Sequence, residues 1–429
     1  MLDTYHVQLD DWLTRLFGHV VTRYGGPLTR IKQLAQALDL KPLAPHSIVV
    51  TGTNGKGSTV RLLEAIYLAA GYSVAAITSP HVMSFTERLT LNGQQVTEAA
   101  VVKAFEYVDT LCDRNTTNTF DFIYLALLWC VKQFKPQIAI IEAGVGGLYD
   151  VSNLFDADVA VITTIDLDHT DLLGDTRDKI AFQKAQLARR GHPIVCGDPH
   201  PPASLTTVVS EIGAKLYQLD GNDHGFTYSA NVGDWGWSGP FQQYSNLPLP
   251  VIKLQNAATA LMVMGCLQKA LPVSEQAIIN GLRAVRMLGR FEVYHNKQCP
   301  IILDVAHNPQ ACQWLAQQLQ QQQPVTGRTL MVFAMAANKL LSLSLQPLID
   351  CVDAWWVAPL ARRKCYSSME IKQELAALGI KNCYTNKNLE DALRAVLKLA
   401  RASDRIVVCG SFCAVQEAMQ FLGDRVNGE

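Results

Sequence analysis

Short runs that are apolar on both faces alternate along this chain with longer stretches of helical periodicity. SIVV (47–50) reads as a buried strand that stops at a glycine-rich stretch, TGTNGKGST (51–59). The next segment, STVRLLEAIYLAAG (58–71), spaces its apolar residues as a helix does and closes on Gly71. SVAAIT (73–78), QIAIIEAG (137–144), DVAVITTI (158–165) and PIVCG (193–197) read as further strands of the first kind. Strands like these, separated by helices, predict an α/β fold with a mostly parallel sheet covered on both sides.

The pattern changes between about 220 and 250. GFTYSA, DWGWSG and FQQYSNLPLP mix glycine, aromatics and proline with no helical period, which predicts antiparallel hairpins attached to the first domain. KLQNAATALMVMGCLQKA (253–270) is helical again. A second alternation follows RMLGRFEVY, with CPIILDV, RTLMVFAM, DAWWVAPL and DRIVVCGSF as strands and 308–322, 368–378 and 389–401 as helices. The glutamine run at 317–323 reads as a helix end leading to Pro324. The expected organisation is a first domain over 1–292 and a smaller Rossmann-like α/β domain over 293–429, hinged near 288–298.

Composition narrows the class. The 429 residues are 49% hydrophobic and 17% charged, enough for two sizeable cores. A net charge of −1 argues against a nucleic-acid partner, and no apolar run reaches the length of a membrane span. Asp3, Asp10 and Asp11 interrupt the N-terminal stretch, which is therefore not a secretory signal. Eleven cysteines without a C-x-x-C pair speak against a disulfide framework or a zinc site and suit a reducing cytoplasm.

The chemistry starts at TGTNGKGST. It departs from the common G-x-x-x-x-G-K-[ST] loop because Gly57 separates Lys56 from Ser58. Its context, strand then turn then helix, is nevertheless what phosphate binding requires. Thr53, Asn54, Gly55 and Gly57 let backbone amides approach an anion, Lys56 adds a mobile positive charge, and Ser58 or Thr59 offers a hydroxyl to Mg²⁺. The bland alternative is an ordinary strand–helix turn.

GTNGKGST resembles the ATP loop of the Mur ligase superfamily, where the additional glycine is usual. TSPHVMSFTERL (78–89), EAGVGG (142–147), DHTDLLG (168–174), FQKA (182–185), NAATA (256–260), GRFE (289–292), DVAHNP (304–309) and CGSF (409–412) resemble that group's later motifs in their proper order. Within the superfamily the series is similar to the folylpolyglutamate synthase/dihydrofolate synthase family. The resemblance implies an ATP-dependent ligase that adds L-glutamate to dihydropteroate, to reduced folates, or to both, through an acyl phosphate. It implies small-molecule partners only and a monomer. Its fold would be a P-loop ATPase domain followed by a glutamate ligase domain, with their lobes closing over a metal-bound triphosphate.

The resemblance also assigns residues. Two Mg²⁺ ions would be held by Ser58, Ser79, Glu142 and His169. Lys184 matches a lysine that the family carbamylates. Asn256, Arg290 and Asp304 would contact ATP, with His307 serving ATP or glutamate and Ser411 facing glutamate. Phe120, Asp121, Phe122, Tyr149 and Asp150 are candidate pterin contacts. Read without the resemblance, Ser79 is a turn residue before Pro80, His169 a solvated loop histidine, Lys184 a surface lysine on a helix, and Phe122 a core aromatic. Glu142, closing an apolar strand, calls for a cationic partner on any reading.

Some positions depart from the family pattern. Leu148 stands where GGRLD has arginine, Asn338 and Leu340 replace both carboxylates of D-K-D, and Cys413 takes the place of the histidine in CGSFH. VVTRYGGPL (20–28) is also unlike the family's early pterin-contacting stretch. Two other functions compete. A cell-wall precursor ligase would need a further domain ahead of the loop, and only 50 residues precede Thr51. A nucleotide-binding protein without catalysis would explain the departures, but not the presence of Lys56, Glu142, His169, Lys184 and Asp304.

Overall fold

The computed structural model describes residues 2–18, 28–114, 116–221, 224–296, 298–321, 326–361 and 364–427. Apart from Leu28, the stretch VVTRYGGPL lies outside them. The chain forms two compact units, one of Met1–Asp166 with Thr170–Arg286, the other of Leu167–His169 with Met287–Glu429.

In the first unit the described strands are β1 (His46–Thr51), β2 (Val74–Ile77), β3 (Leu89–Leu91), β4 (Gln94–Gln95), β5 (Ile138–Glu142), β6 (Val159–Ile162), β7 (Pro193–Cys196), β8 (Lys215–Leu219), β9 (Gly225–Ala230), β10 (Asp234–Ser238) and β11 (Gln243–Pro248). They form one sheet in the order β11-β10-β9-β8-β7-β6-β1-β5-β2-β3-β4. From β2 to β9 the pairing is parallel. The two edges, β2-β3-β4 and β9-β10-β11, are antiparallel. Ile48, Val49 and Val50 of β1 and Ile138–Ile141 of β5 are all buried, as strands covered on both faces must be. Helices Lys56–Ala69 and Leu254–Leu267 pack together, and the first of them also packs on β2 and β5. Trp235 and Trp237 of β10 bury their rings and donate their indole N–H groups to the carbonyls of Pro248 and Ala258.

The second unit contains β12 (Glu292–His295), β13 (Pro300–Leu303), β14 (Thr329–Phe333), β15 (Ala354–Val357), β16 (Cys383–Thr385) and β17 (Arg405–Cys409), in the order β12-β13-β17-β14-β15-β16. All pairs are parallel except β12–β13. Its core gathers Phe333, Trp355, Leu315, Leu345 and Ile371.

Two details differ from the periodicity. The helix after the glycine stretch begins at Lys56 rather than near Ser58, because Gly55, at φ 86°, serves as its left-handed N-cap. β12 adds an antiparallel edge strand where the pattern showed a hinge, its residues being only half-buried.

Candidate active site

In open parallel sheets, ligands collect outside the carboxyl ends of the strands. Three adjacent strands of the first unit, β6, β1 and β5, end in the residues of interest. The phosphate loop follows β1, and Thr163–Asp166 follows β6 and forms a shelf beneath that loop. The Thr53 amide donates to the Thr164 carbonyl (2.8 Å) and the Asn54 amide to Thr164 Oγ1 (3.0 Å). Thr163 Oγ1 donates to the Asn54 carbonyl (2.6 Å), while Thr53 Oγ1 and Asp166 exchange hydrogen bonds at 3.0 and 2.9 Å. The loop's shape is thus fixed by hydroxyls at the mouth of the neighbouring strand. An added Cβ on Gly55 would fall 2.3 Å from Asn256 Oδ1, so the loop and Asn256 share one tight contact. Lys56 Nζ curls back to the carbonyls of Gly52 (3.1 Å) and Thr53 (3.4 Å), which keeps the charge over the loop. Ser58 and Thr59 are buried in the first helical turn, and Thr59 Oγ1 donates to the Gly55 carbonyl (3.0 Å), leaving Ser58 as the hydroxyl at the loop itself.

Glu142 ends β5 with only 3% of its surface exposed, and its Oε2 accepts from the Ser79 amide at 3.0 Å. Tyr124 is completely buried behind it and donates its hydroxyl to the Glu142 carbonyl. Ser79 and Glu142 therefore stand together. A carboxylate with serine hydroxyls suits a hard divalent cation that completes its shell with phosphate oxygens and water. Among the described residues no group of three His, Cys, Asp or Glu side chains gathers where it could hold a metal ion.

Lys184 is not the surface lysine that a helix position suggested. It lies in helix Arg177–Ala185 and is 2% exposed. The reason is close packing of the loop after β5: the Leu148 amide donates to the Gln183 carbonyl (2.9 Å), and Gly147 has no room for a side chain against that helix end.

The candidate pterin residues divide. Phe120 and Asp121 begin helix Thr119–Phe134; the Phe120 ring lies against Gly144 and 5.2 Å from the Tyr124 ring. Asp150 is buried and accepts from the amides of Val145 (3.1 Å) and Ser152 (2.9 Å). Burial pushes the Asp150 carboxyl up. Burial first, and the Asp150 charge second, push Asp121 up to about 7. Tyr149 is half-buried on the intervening loop. Phe122 points elsewhere, into the core, between Trp12, Phe105 and the Arg114 guanidinium.

In the second unit Asp304 follows β13, and its carboxylate accepts from the amides of Phe291 and Ala306, both at 2.8 Å. It thereby holds the turn that carries Arg290, whose guanidinium stacks 5.0 Å over the Phe412 ring. The Gly410 amide donates to the Ala306 carbonyl (2.9 Å), bringing the Ser411 loop beside the His307 loop. Ser411 Oγ accepts from the Cys413 amide. His307 packs against Phe412, and burial and then Lys339 hold it down at about 4, so it is neutral at pH 7.

Asp168 and Lys339, which sequence reasoning did not single out, join the predicted residues His169 and His307 in one charged group. Lys339 Nζ meets Asp168 Oδ1 at 2.6 Å, Asn308 Nδ2 donates to Oδ2 at 3.2 Å, and His307 Nε2 lies 3.7 Å away. Burial alone would raise the Asp168 carboxyl; His169, His307 and Lys339 outweigh it and hold it below the usual range. The available signal was the unexplained charge of Lys339 between Asn338 and Leu340. Likewise the shelf hydroxyls of Thr163 and Thr164 lay in a strand-end TT dipeptide.

These features define a Mur-type ATP-dependent ligase. A family model described as Mur ligase middle domain matches residues 50–199, and one described as Mur ligase, glutamate ligase domain matches 289–412. The dihydrofolate synthase/folylpolyglutamate synthase of Escherichia coli is 36% identical over 401 residues, 94% of this chain and 92% of its own. A solved structure of E. coli FolC in complex with DHPP and ADP superposes with a TM-score of 0.90 at 35% identity, covering 97% of this chain and 98% of that one. The bifunctional enzyme of Yersinia pestis, complexed with AMPPNP and a Mn ion, gives 0.88 at 38% identity over 97% and 98%. The chain belongs to the dihydrofolate synthase/folylpolyglutamate synthase family, ATP-dependent ligases that attach glutamate in folate metabolism.

Proposed function

We propose that the chain joins L-glutamate to the carboxylate of dihydropteroate, and to that of reduced folates in chain extension. A carboxylate resists nucleophiles because its charge repels them and oxide is a hopeless leaving group. Its oxygen attacks the γ-phosphorus of ATP, the bond to ADP breaks, and an acyl phosphate forms. The glutamate amine then attacks the acyl carbon, phosphate leaves with the bonding pair, and the nitrogen sheds a proton. Such a reaction is governed by alignment and charge neutralisation.

The observation that carries this reading is Glu142, a buried carboxylate beside Ser79 on the strand next to the phosphate loop. Ser58, Ser79, Glu142 and His169 would hold two divalent ions, which supply neutralisation of the triphosphate charge. Lys56 steadies the phosphoryl group in flight, while Thr53, Asn54, Gly55, Gly57 and Thr59 cradle the phosphates and Asn256 secures the loop. In the second unit Asp304 and Arg290 serve ATP, His307 in its neutral form and Ser411 serve glutamate. Phe120, Asp121, Tyr149 and Asp150 receive the pterin; Phe122 supports them from the core. The burial of Lys184 supports carbamylation, in which the neutral amine adds to the carbon of CO₂ and releases a proton.

The test is phosphate release with ATP and glutamate, offered dihydropteroate or tetrahydrofolate. Release with at least one acid is expected, and Lys56→Ala is expected to lower the rate on the order of 10²–10³-fold. No release with either acid overturns the reading. Density for a bare lysine at position 184 in a fully active crystal overturns the carbamate.

A further inference from the structure

The phosphate-loop helix carries a second charged side chain that the reaction does not use. Arg61 lies one turn beyond Ser58, on the same face, with its side chain 17% exposed. Its Nη1 donates to Glu64 Oε2 (2.7 Å) and to Thr90 Oγ1. Its Nη2 donates to Thr78 Oγ1 (3.1 Å) and to the Glu87 carbonyl (2.7 Å). Thr78 Oγ1 donates in turn to that same carbonyl at 3.2 Å. The Glu87 carboxylate gathers the amides of Val82 (2.8 Å), Met83 and Ser84 (both 2.7 Å), which shapes the loop between Ser79 and Phe85. Ser79 then reaches Glu142 through its amide.

Glu64, on the same helix, neutralises Arg61 and through its other carboxylate oxygen accepts from Thr90 Oγ1 of β3. The remaining donors go to Thr78, next to Ser79, to the carbonyl of Glu87 in the turn Phe85–Arg88 that closes the Ser79 loop, and to Thr90 on β3. A buried guanidinium is costly unless its fork is filled, and here the fork is filled by one corner.

We propose that Arg61 is a positioning residue for the divalent cation, fixing the Thr78–Ser79 corner against the helix that bears Ser58 so that the two hydroxyls keep a set separation. The inference rests on the cation reading proposed above. Mg²⁺ demands near-ideal octahedral geometry at about 2.0–2.1 Å, so a corner loosened by a few tenths of an ångström loses affinity. Outer partners of metal ligands are typically worth 10–100-fold.

The experiment measures Mn²⁺ affinity by electron paramagnetic resonance on the full chain with AMPPNP, alongside thermal melts, for Arg61→Gln, Arg61→Lys and Glu142→Gln. Arg61→Gln is expected to weaken Mn²⁺ roughly 10-fold, with Arg61→Lys recovering part of it and Glu142→Gln losing more than either. Unchanged affinity in Arg61→Gln, with loss in Glu142→Gln, overturns the positioning role and leaves the cation reading standing. Unchanged affinity in Glu142→Gln sinks the cation reading itself. Should Arg61→Gln fail to fold, Thr78→Val removes the corner hydroxyl at constant volume. Weaker Mn²⁺ binding there supports the proposal, and wild-type binding overturns it.

Discussion

Replacing Lys339 by methionine isolates one buried charge. The Lys339 ammonium and the Asp168 carboxylate are 10% and 9% exposed and 2.6 Å apart. Without the ammonium, Asp168 keeps the His169 backbone amide at 2.9 Å, an amide from Asn308 at 3.2 Å, and the His307 and His169 rings at 3.7 and 4.0 Å. His307, held down at about 4 by burial and by Lys339, carries no charge at pH 7 in the intact protein. Stranding one member of a buried pair costs about 3–5 kcal/mol. Removing both charges with Asp168→Asn/Lys339→Met is expected to cost only about 1–2 kcal/mol, because no ion is left behind. Hydrogen exchange on the amides of β14 reads this directly. Protection there falls on the order of 10²–10⁴-fold in the single variant and about tenfold in the double. Asp168 has a folded pKa below its unfolded one, so its contribution is present above the ordinary carboxylate range and is lost only as pH falls below it. The difference between variants should therefore stay flat from about pH 5 to 8. A single variant that loses under about 1 kcal/mol, or a double no better than the single, refutes the reasoning.

Gly55→Ala would strain a residue at φ 86° and drive a methyl to 2.3 Å from Asn256 Oδ1. Nucleotide affinity by calorimetry is expected to fall at least about tenfold, since left-handed backbone alone costs roughly 1–2 kcal/mol. Thr163→Val removes the hydroxyl that donates 2.6 Å to the Asn54 carbonyl, and titration with ADP should show binding weaker by about 1 kcal/mol. Asp121 has its folded pKa raised to about 7, so its share of stability is complete below the unfolded value and drains away as pH rises towards 7. Asp121→Asn should remove that drain. Discounted for partial exposure, melts at pH 8 are expected to favour the variant by roughly 1–3 kcal/mol over the comparison at pH 5; an identical gap at both pH values counts against it.

The parallel strands were legible because burial on both faces forces unbroken apolar runs such as IAIIE and RIVVC. β8, KLYQL, inside the sheet, and β12, EVYH, at an edge, escaped because their residues are mostly part-exposed and their polar positions hide the strand. The loop's identity was readable from glycine and lysine spacing, whereas its support was not. The Thr163–Asp166 shelf and Asn256 meet the loop only through tertiary folding. Lys184 was misplaced on the surface for the same reason: helical spacing records which residues are apolar, not what a loop from far earlier in the chain lays across a lysine. The ring of Phe122 was correctly open to a core reading, and the aromatic cluster of Trp12 and Phe105 is what claims it.

The contact between Gly55 and Asn256 has a consequence for biogenesis. About two hundred residues separate the two partners, and the shelf that steadies Asn54 lies 110 residues downstream of it. Contacts so remote along the chain close late and slow the search for the native topology. A nascent polypeptide released after β5 would display a nucleotide cradle with neither floor nor wall. Ribosome-bound chains of increasing length should therefore acquire ADP binding abruptly, once the helix bearing Asn256 has cleared the exit tunnel.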